Sequence, residues 1–162
     1  MRSSATKRRP RRDARQGAVA VEFAFVAPVL VTLVLGVIEV NRMYDTQTLL
    51  ETAAREGARF ASMDRDGLVP EGTTTNDKMV SDMKTFLETN GMDNGDVNIE
   101  VVHAEDPSTP FDLDNPENDL KLFEVRVSVD YSDVSLTSID AGSDFTLTGK
   151  VTFRNGVATL SN

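Results

Sequence analysis

The chain has no cysteine, no tryptophan and a single histidine, His103. The first absence excludes disulfides, thiolate metal sites and a cysteine nucleophile. It does not choose a compartment, because a cysteine-free chain suits oxidising and reducing surroundings alike. Enzyme signatures are missing too. There is no G-x-S-x-G, no phosphate-cradling glycine loop and no H-E-x-x-H. Carboxylates are plentiful, but no spacing singles out a catalytic pair. His103 falls at the end of a predicted strand and reads as a structural or surface residue.

Charge is unevenly spread. Residues 1–16 carry seven basic side chains (Arg2, Lys7, Arg8, Arg9, Arg11, Arg12 and Arg15) against Asp13 alone. This gives +6 at the start and leaves −15 for the rest of a chain whose total is −9. An acidic body of that size repels nucleic-acid phosphates and anionic headgroups, so no nucleic-acid partner is expected. The basic tip stands directly before an apolar run, which favours a topology signal over a nucleic-acid arm. The 162 residues suffice for one domain plus an anchor, not two full domains.

The apolar run is "AVAVEFAFVAPVLVTLVLGVIEV", Ala18 to Val40, and no charge interrupts it between Phe23 and Ile38. As a helix its 23 residues extend roughly 34 Å, enough to cross the hydrocarbon of a bilayer. A buried helix of a soluble domain fits poorly, since so small a chain has little other apolar material to wrap it. The run exceeds the apolar core of a cleaved secretory signal and leads into Val40-Asn41-Arg42-Met43 with no small-residue cut site. The basic tip should remain cytoplasmic and the acidic body lie outside. Pro28 lacks the N–H that a helix interior needs and crowds the carbonyl of Ala24, a defect tolerated in membranes as a packed kink. Glu22 is the sharper anomaly, because a carboxylate in lipid is expensive and usually paired or functional.

"GAVAVEF", Gly17 to Phe23, resembles the processing site of type IV pilin-like proteins of the tight-adherence (Tad/Flp) class. The wider segment of about residues 15–62 resembles the TadE-like family of minor pilins or pseudopilins. Its landmarks are Gly17 with Glu22, the span with Pro28, Gly36-Val37-Ile38-Glu39 followed by Arg42, and Ala53-Ala54-Arg55-Glu56-Gly57-Ala58-Arg59. The resemblance implies cleavage by a prepilin peptidase between Gly17 and Ala18. Glu22, followed by the aromatic Phe23, would then pair with the freed amine of a neighbouring subunit and set register. A buried pair of this kind tolerates poorly the loss of one partner. Pro28 would be a helix kink, and Glu39 and Arg42 an assembly contact or a local surface pair. The implied partners are other pilin-like subunits, Tad assembly components and the peptidase. The implied location is a bacterial inner membrane, single-pass, with entry into an extracellular pilus as an extension of that role. An uncleaved membrane anchor presenting an adhesive or binding head is the alternative.

Met43, Tyr44, Gln47, Leu50, Ala54, Ala58 and Ala61 continue a helical stripe beyond the span, with Glu51–Arg55 at i, i+4 on the other side. "DRDGLVPEGTTTNDK", Asp64–Lys78, reads as a loop that gives way to a second helix capped by Thr75 or Asn76. That helix carries Met79, Val80, Met83, Phe86 and Leu87 and stops at Gly91. After Gly95 the period becomes two. Val97, Ile99 and Val101, then Phe123 to Tyr131, then Phe145 to Phe153 predict three strands, with a shorter fourth around Val134–Ile139. The expected fold is α+β. A long N-terminal transmembrane helix continues into a pilin-like head with a second helix and a three- to four-stranded antiparallel sheet. The expected divisions are a basic leader 1–17, a membrane segment 18–40, a helical continuation 41–62 and a head 63–162.

Between the first two strands lies "AEDPSTPFDLDNPEND", with three prolines and six acids. An exposed, adaptable loop is the default expectation. A calcium site at Asp112, Asp114, Glu117 and Asp119 is the sharper alternative, since hard cations want several carboxylates. Against it, Pro116 takes the next ligand position and no turn glycine follows. No other cofactor is expected.

Overall fold

The computed structural model describes residues 12–63, 65, 67–93, 95–135 and 145–156. The chain divides into two compact units after Val40.

A single helix, α1, covers Arg12–Ser62, so the helical conformation reaches back into the basic segment as well as forward from the apolar run. Within the first unit the side chains from Val19 to Val40 are exposed almost throughout, Phe23 by 66% and Phe25 by 77%. The helix is long and apolar enough to cross a membrane by length and composition, with a peak mean hydropathy of 2.5 and none of that window buried. Pro28 lies inside it without ending it. Thr32 Oγ1 donates to the Pro28 carbonyl at 2.9 Å, so this hydroxyl, in the most apolar part of the chain, is satisfied by its own helix.

The second unit is an α+β head. Its three-stranded antiparallel sheet has the order β1 (Val97–His103), β2 (Leu122–Asp130) and β3 (Thr146–Arg154). The register pairs Val101 with Val125 and Val125 with Val151. In β2 and β3 inward side chains recur at every second residue, and Phe123, Val125, Val127, Val129 and Leu147 are buried. The continuation of α1 lays Leu50, Ala53, Ala54, Ala58 and Ala61 into the same core. α2 (Thr75–Thr89) adds Met79, Met83 and Leu87. At Gly149 a Cβ would overlap the backbone of Leu50 and Glu51. The helix therefore sits with its main chain directly on β3, and Gln47 Nε2 donates to the Thr148 carbonyl at 2.8 Å beside that contact.

Several expectations shift in detail. α2 is capped by Thr74, whose side chain accepts from the Asp77 amide at 3.1 Å, because Thr75 and Asn76 are engaged elsewhere. Its end is as expected at Gly91, which has φ +86°. The Gly91 amide donates to Glu88 and the Met92 amide to Leu87, both near 3 Å, and Met92 packs in the core with Leu87. Tyr131 does not end β2 but opens a four-residue helical turn, α3 (Tyr131–Val134). Its ring meets Phe145 edge-on at 5.9 Å. Of the expected fourth strand, Val134 closes that turn, and residues 136–139 lie outside those described. Tyr44, placed by its spacing on the inward stripe of α1, instead faces outward and is 70% exposed.

Candidate functional site

Two regions carry the residues singled out by the sequence. The first is the N-terminal part of α1. Gly17 and Ala18 are exposed and helical, and a methyl group at Gly17 would meet nothing within 4 Å. The Gly17–Ala18 bond itself lies within the helix. Glu22 and Phe23 follow on the same exposed helix. Among the described residues Glu22 is exposed. Glu39 stands near the end of the run. Arg42 is exposed in the second unit and borders an open cleft of about 390 Å³ with Asp45, Leu49, Met92, Asp96 and Val134.

The second region is the acidic loop, whose six acids are exposed as expected but which is tied to the head at Phe111, Leu113 and Asn118. Phe111 and Leu113 are each only 1% exposed. The loop doubles back on the edge of β1. The Phe111 amide donates to Val101 O at 2.8 Å, the His103 amide donates to Thr109 O at 3.0 Å, and Pro110 bridges Val102. Phe111 then packs between His103 and Phe123, at 4.7 Å and 5.5 Å between ring centres. His103 thus has the structural role expected of it.

Polar side chains finish the docking. Asn76 Nδ2 donates to Phe111 O at 2.8 Å, and the Leu113 amide donates to Asn76 Oδ1 at 3.0 Å, so one amide side chain serves the loop as a neighbouring strand would. Asn155 is fully buried. Its Nδ2 donates to Leu113 O at 3.2 Å and to Asn118 O at 3.3 Å, and its Oδ1 accepts from Arg65 Nη1 at 3.2 Å. Arg65 also donates to Ala61 O and Leu113 O, closing the last turn of α1 onto the same knot. None of these clamps was marked by the sequence. The one available sign was the alternation of Phe111 and Leu113 with acids, which has the period of a half-buried strand.

The four candidate calcium ligands are not brought together. Asp114 accepts from the Thr75 amide at 2.7 Å and from the Thr75 hydroxyl. Asp112 accepts from the Asp114 amide at 2.9 Å. Glu117 belongs to a single 3₁₀ turn at Pro116–Asn118, and Asp119 follows it. Among the described residues no three histidine or carboxylate side chains converge on a position that could hold a metal ion. Asp106, at the loop's outer bend, has its carboxyl held below the ordinary range by the hydroxyl of Ser108 at 2.6 Å, then that of Thr109 at 2.7 Å.

Residues 17–59 match the family of TadE-like proteins. The match opens on Gly17 and ends inside α1. It takes in Glu22, Phe23, Pro28, Glu39 and Arg42, and includes none of α2, the sheet or the acidic loop. No curated protein and no solved structure matches the chain.

Proposed function

We propose that the protein is a minor pilin or pseudopilin of a Tad-type pilus or secretion assembly, working by subunit packing and not by catalysis. The observation that carries this reading is a coincidence of boundaries. The TadE-like match starts at Gly17, at the junction between the basic segment and an apolar run that is uncovered among the described residues. In this reading the basic residues hold the N-terminus at the cytoplasmic face of the inner membrane, and the acidic head is extracytoplasmic. A prepilin peptidase cuts between Gly17 and Ala18. The new amine of Ala18 pairs with Glu22 of an adjacent pilin-like subunit, which compensates an otherwise costly intramembrane carboxylate and fixes the axial register of the two helices. Pro28 frees the Ala24 carbonyl and supplies a point of bending. Glu39 and Arg42 lie where the helix leaves the apolar layer, in position for contacts with neighbouring subunits.

A second reading, an uncleaved anchor with an adhesive or binding head, is favoured by one feature: α1 runs unbroken through the Gly17–Ala18 bond, and a peptidase must unwind it. Intact-mass measurement of the protein extracted from cells with active peptidase separates the two. A chain beginning at Ala18 supports the pilin reading, and persistence of Met1–Gly17 supports the anchor. Glu22→Ala is expected to leave the protein in the membrane but to abolish its recovery with assembled subunits. Normal co-assembly of that variant would remove the register role.

A further inference from the structure

The stripe spacing of α1 assigns Tyr44 to the inward face, yet the ring is 70% exposed. It shares the outward side of the helix with Thr48 and Thr52, both exposed. Each of these hydroxyls is spent on the helix itself. Thr48 Oγ1 donates to Tyr44 O at 2.8 Å, and Thr52 Oγ1 donates to Thr48 O at 2.7 Å. The stripe 44, 48, 52 therefore offers a phenol ring and two satisfied threonines, and no charge. The other tyrosine, Tyr131, packs against Phe145, so Tyr44 alone among the tyrosines presents its ring outward. In the sequence it follows Val40, the end of the apolar run, by four residues. A ring with an apolar body and a polar tip, so soon after the end of an apolar run, has the chemistry of the water–lipid boundary.

We propose that Tyr44 is an interfacial anchor, its ring lodged among the lipid headgroups on the head's side of the membrane, where it fixes how far the helix inserts. Zwitterionic lipid is the fitting surface, because Asp45 and the acidic head disfavour an anionic one. The proposal rests on the reading of the apolar run as a membrane span, and the test keeps the two apart.

Because the chain has no tryptophan, Tyr44→Trp and Leu30→Trp each give a single-tryptophan reporter in the full-length protein. Both are reconstituted into phosphatidylcholine vesicles and recovered by flotation. The indole at position 44 is expected to shift to shorter wavelength and to lose more emission to lipids brominated near the headgroup than to lipids brominated near the chain ends. The reverse order is expected at position 30. Quenching at 44 by aqueous iodide but by neither lipid, with position 30 still quenched by the deep bromines, overturns the Tyr44 proposal and leaves the membrane span standing. A blue-shifted indole at 44 that no quencher reaches overturns it in favour of a helix–helix contact. If position 30 also escapes the lipid quenchers, the membrane reading fails and Tyr44 falls with it.

Discussion

A methyl group added at Gly149 would overlap the main chain of Leu50 and Glu51, whereas one added at Gly57 would meet only the flexible side chain of Met83. Main chain in a packed core cannot step aside, but a methionine rotates. Gly149→Ala is accordingly expected to cost about 1–3 kcal/mol. Gly57→Ala should cost less, offset in part by the better helix propensity of alanine. Thermal unfolding of the two variants side by side checks the order, and equal losses would mean that α1 can lift off β3. Asp106 makes a different residue-scale statement. Ser108 and Thr109 stabilise its ionised form, so its folded pKa lies below the unfolded one. The resulting stability is present above the ordinary carboxylate range and is lost as pH falls through the lowered folded value. Thr109→Val is expected to move the Asp106 carboxyl titration, followed by NMR, upward toward the ordinary range. An unmoved titration would show that the hydroxyl is not the cause.

At the scale of elements, the acidic loop behaves as an extra edge segment tied to the start of α2. Asp114 presents its carboxylate to the first amide of that helix through Thr75, where an anion also meets the favourable end of the helix dipole. Asp114→Ala is expected to destabilise the head by about 1–2 kcal/mol, the size of a lost helix cap. Faster hydrogen exchange should follow at Thr75 and Leu113. Unchanged exchange at Leu113 would show that Asn76 and Asn155 hold the loop without help. Three of the loop's acids, Asp106, Asp112 and Asp114, thus have a local role: they accept from amides and hydroxyls that the turns leave open.

For the whole molecule, the division after Val40 separates a helix with no core among its described residues from a head whose buried cluster begins at Leu50. A chain starting at Asn41 is expected to unfold in one cooperative transition, with near-ultraviolet and far-ultraviolet circular dichroism melting together. A gradual loss of signal would show that the head depends on the preceding segment. The family match crosses that division and takes in Leu50, Ala53, Ala54 and Ala58 of the head's core. The match lies wholly within α1, while the sheet and its loop belong to residues beyond it.

Much of this architecture is written locally. The unbroken apolar run from Phe23 to Ile38 and the landmarks Gly17, Glu22 and Pro28 are legible in the sequence. So are the period-two strands and the glycine stop of α2, because each depends on residues within a turn or two of one another. What the sequence left open depends on contacts between distant segments. Periodicity can group Tyr44 with Met43 and Leu50, but only the position of the sheet decides which edge of that stripe is covered. Nothing near Asn155 announces that its amide will meet Leu113, Asn118 and Arg65. Phe111 and Leu113 looked like parts of an open acidic loop until β1 and α2 supplied the carbonyls, amides and apolar wall that bury them. Local spacing determined the helices and strands. Tertiary packing decided which apolar residues it would cover and which, like Tyr44, it would leave facing outward.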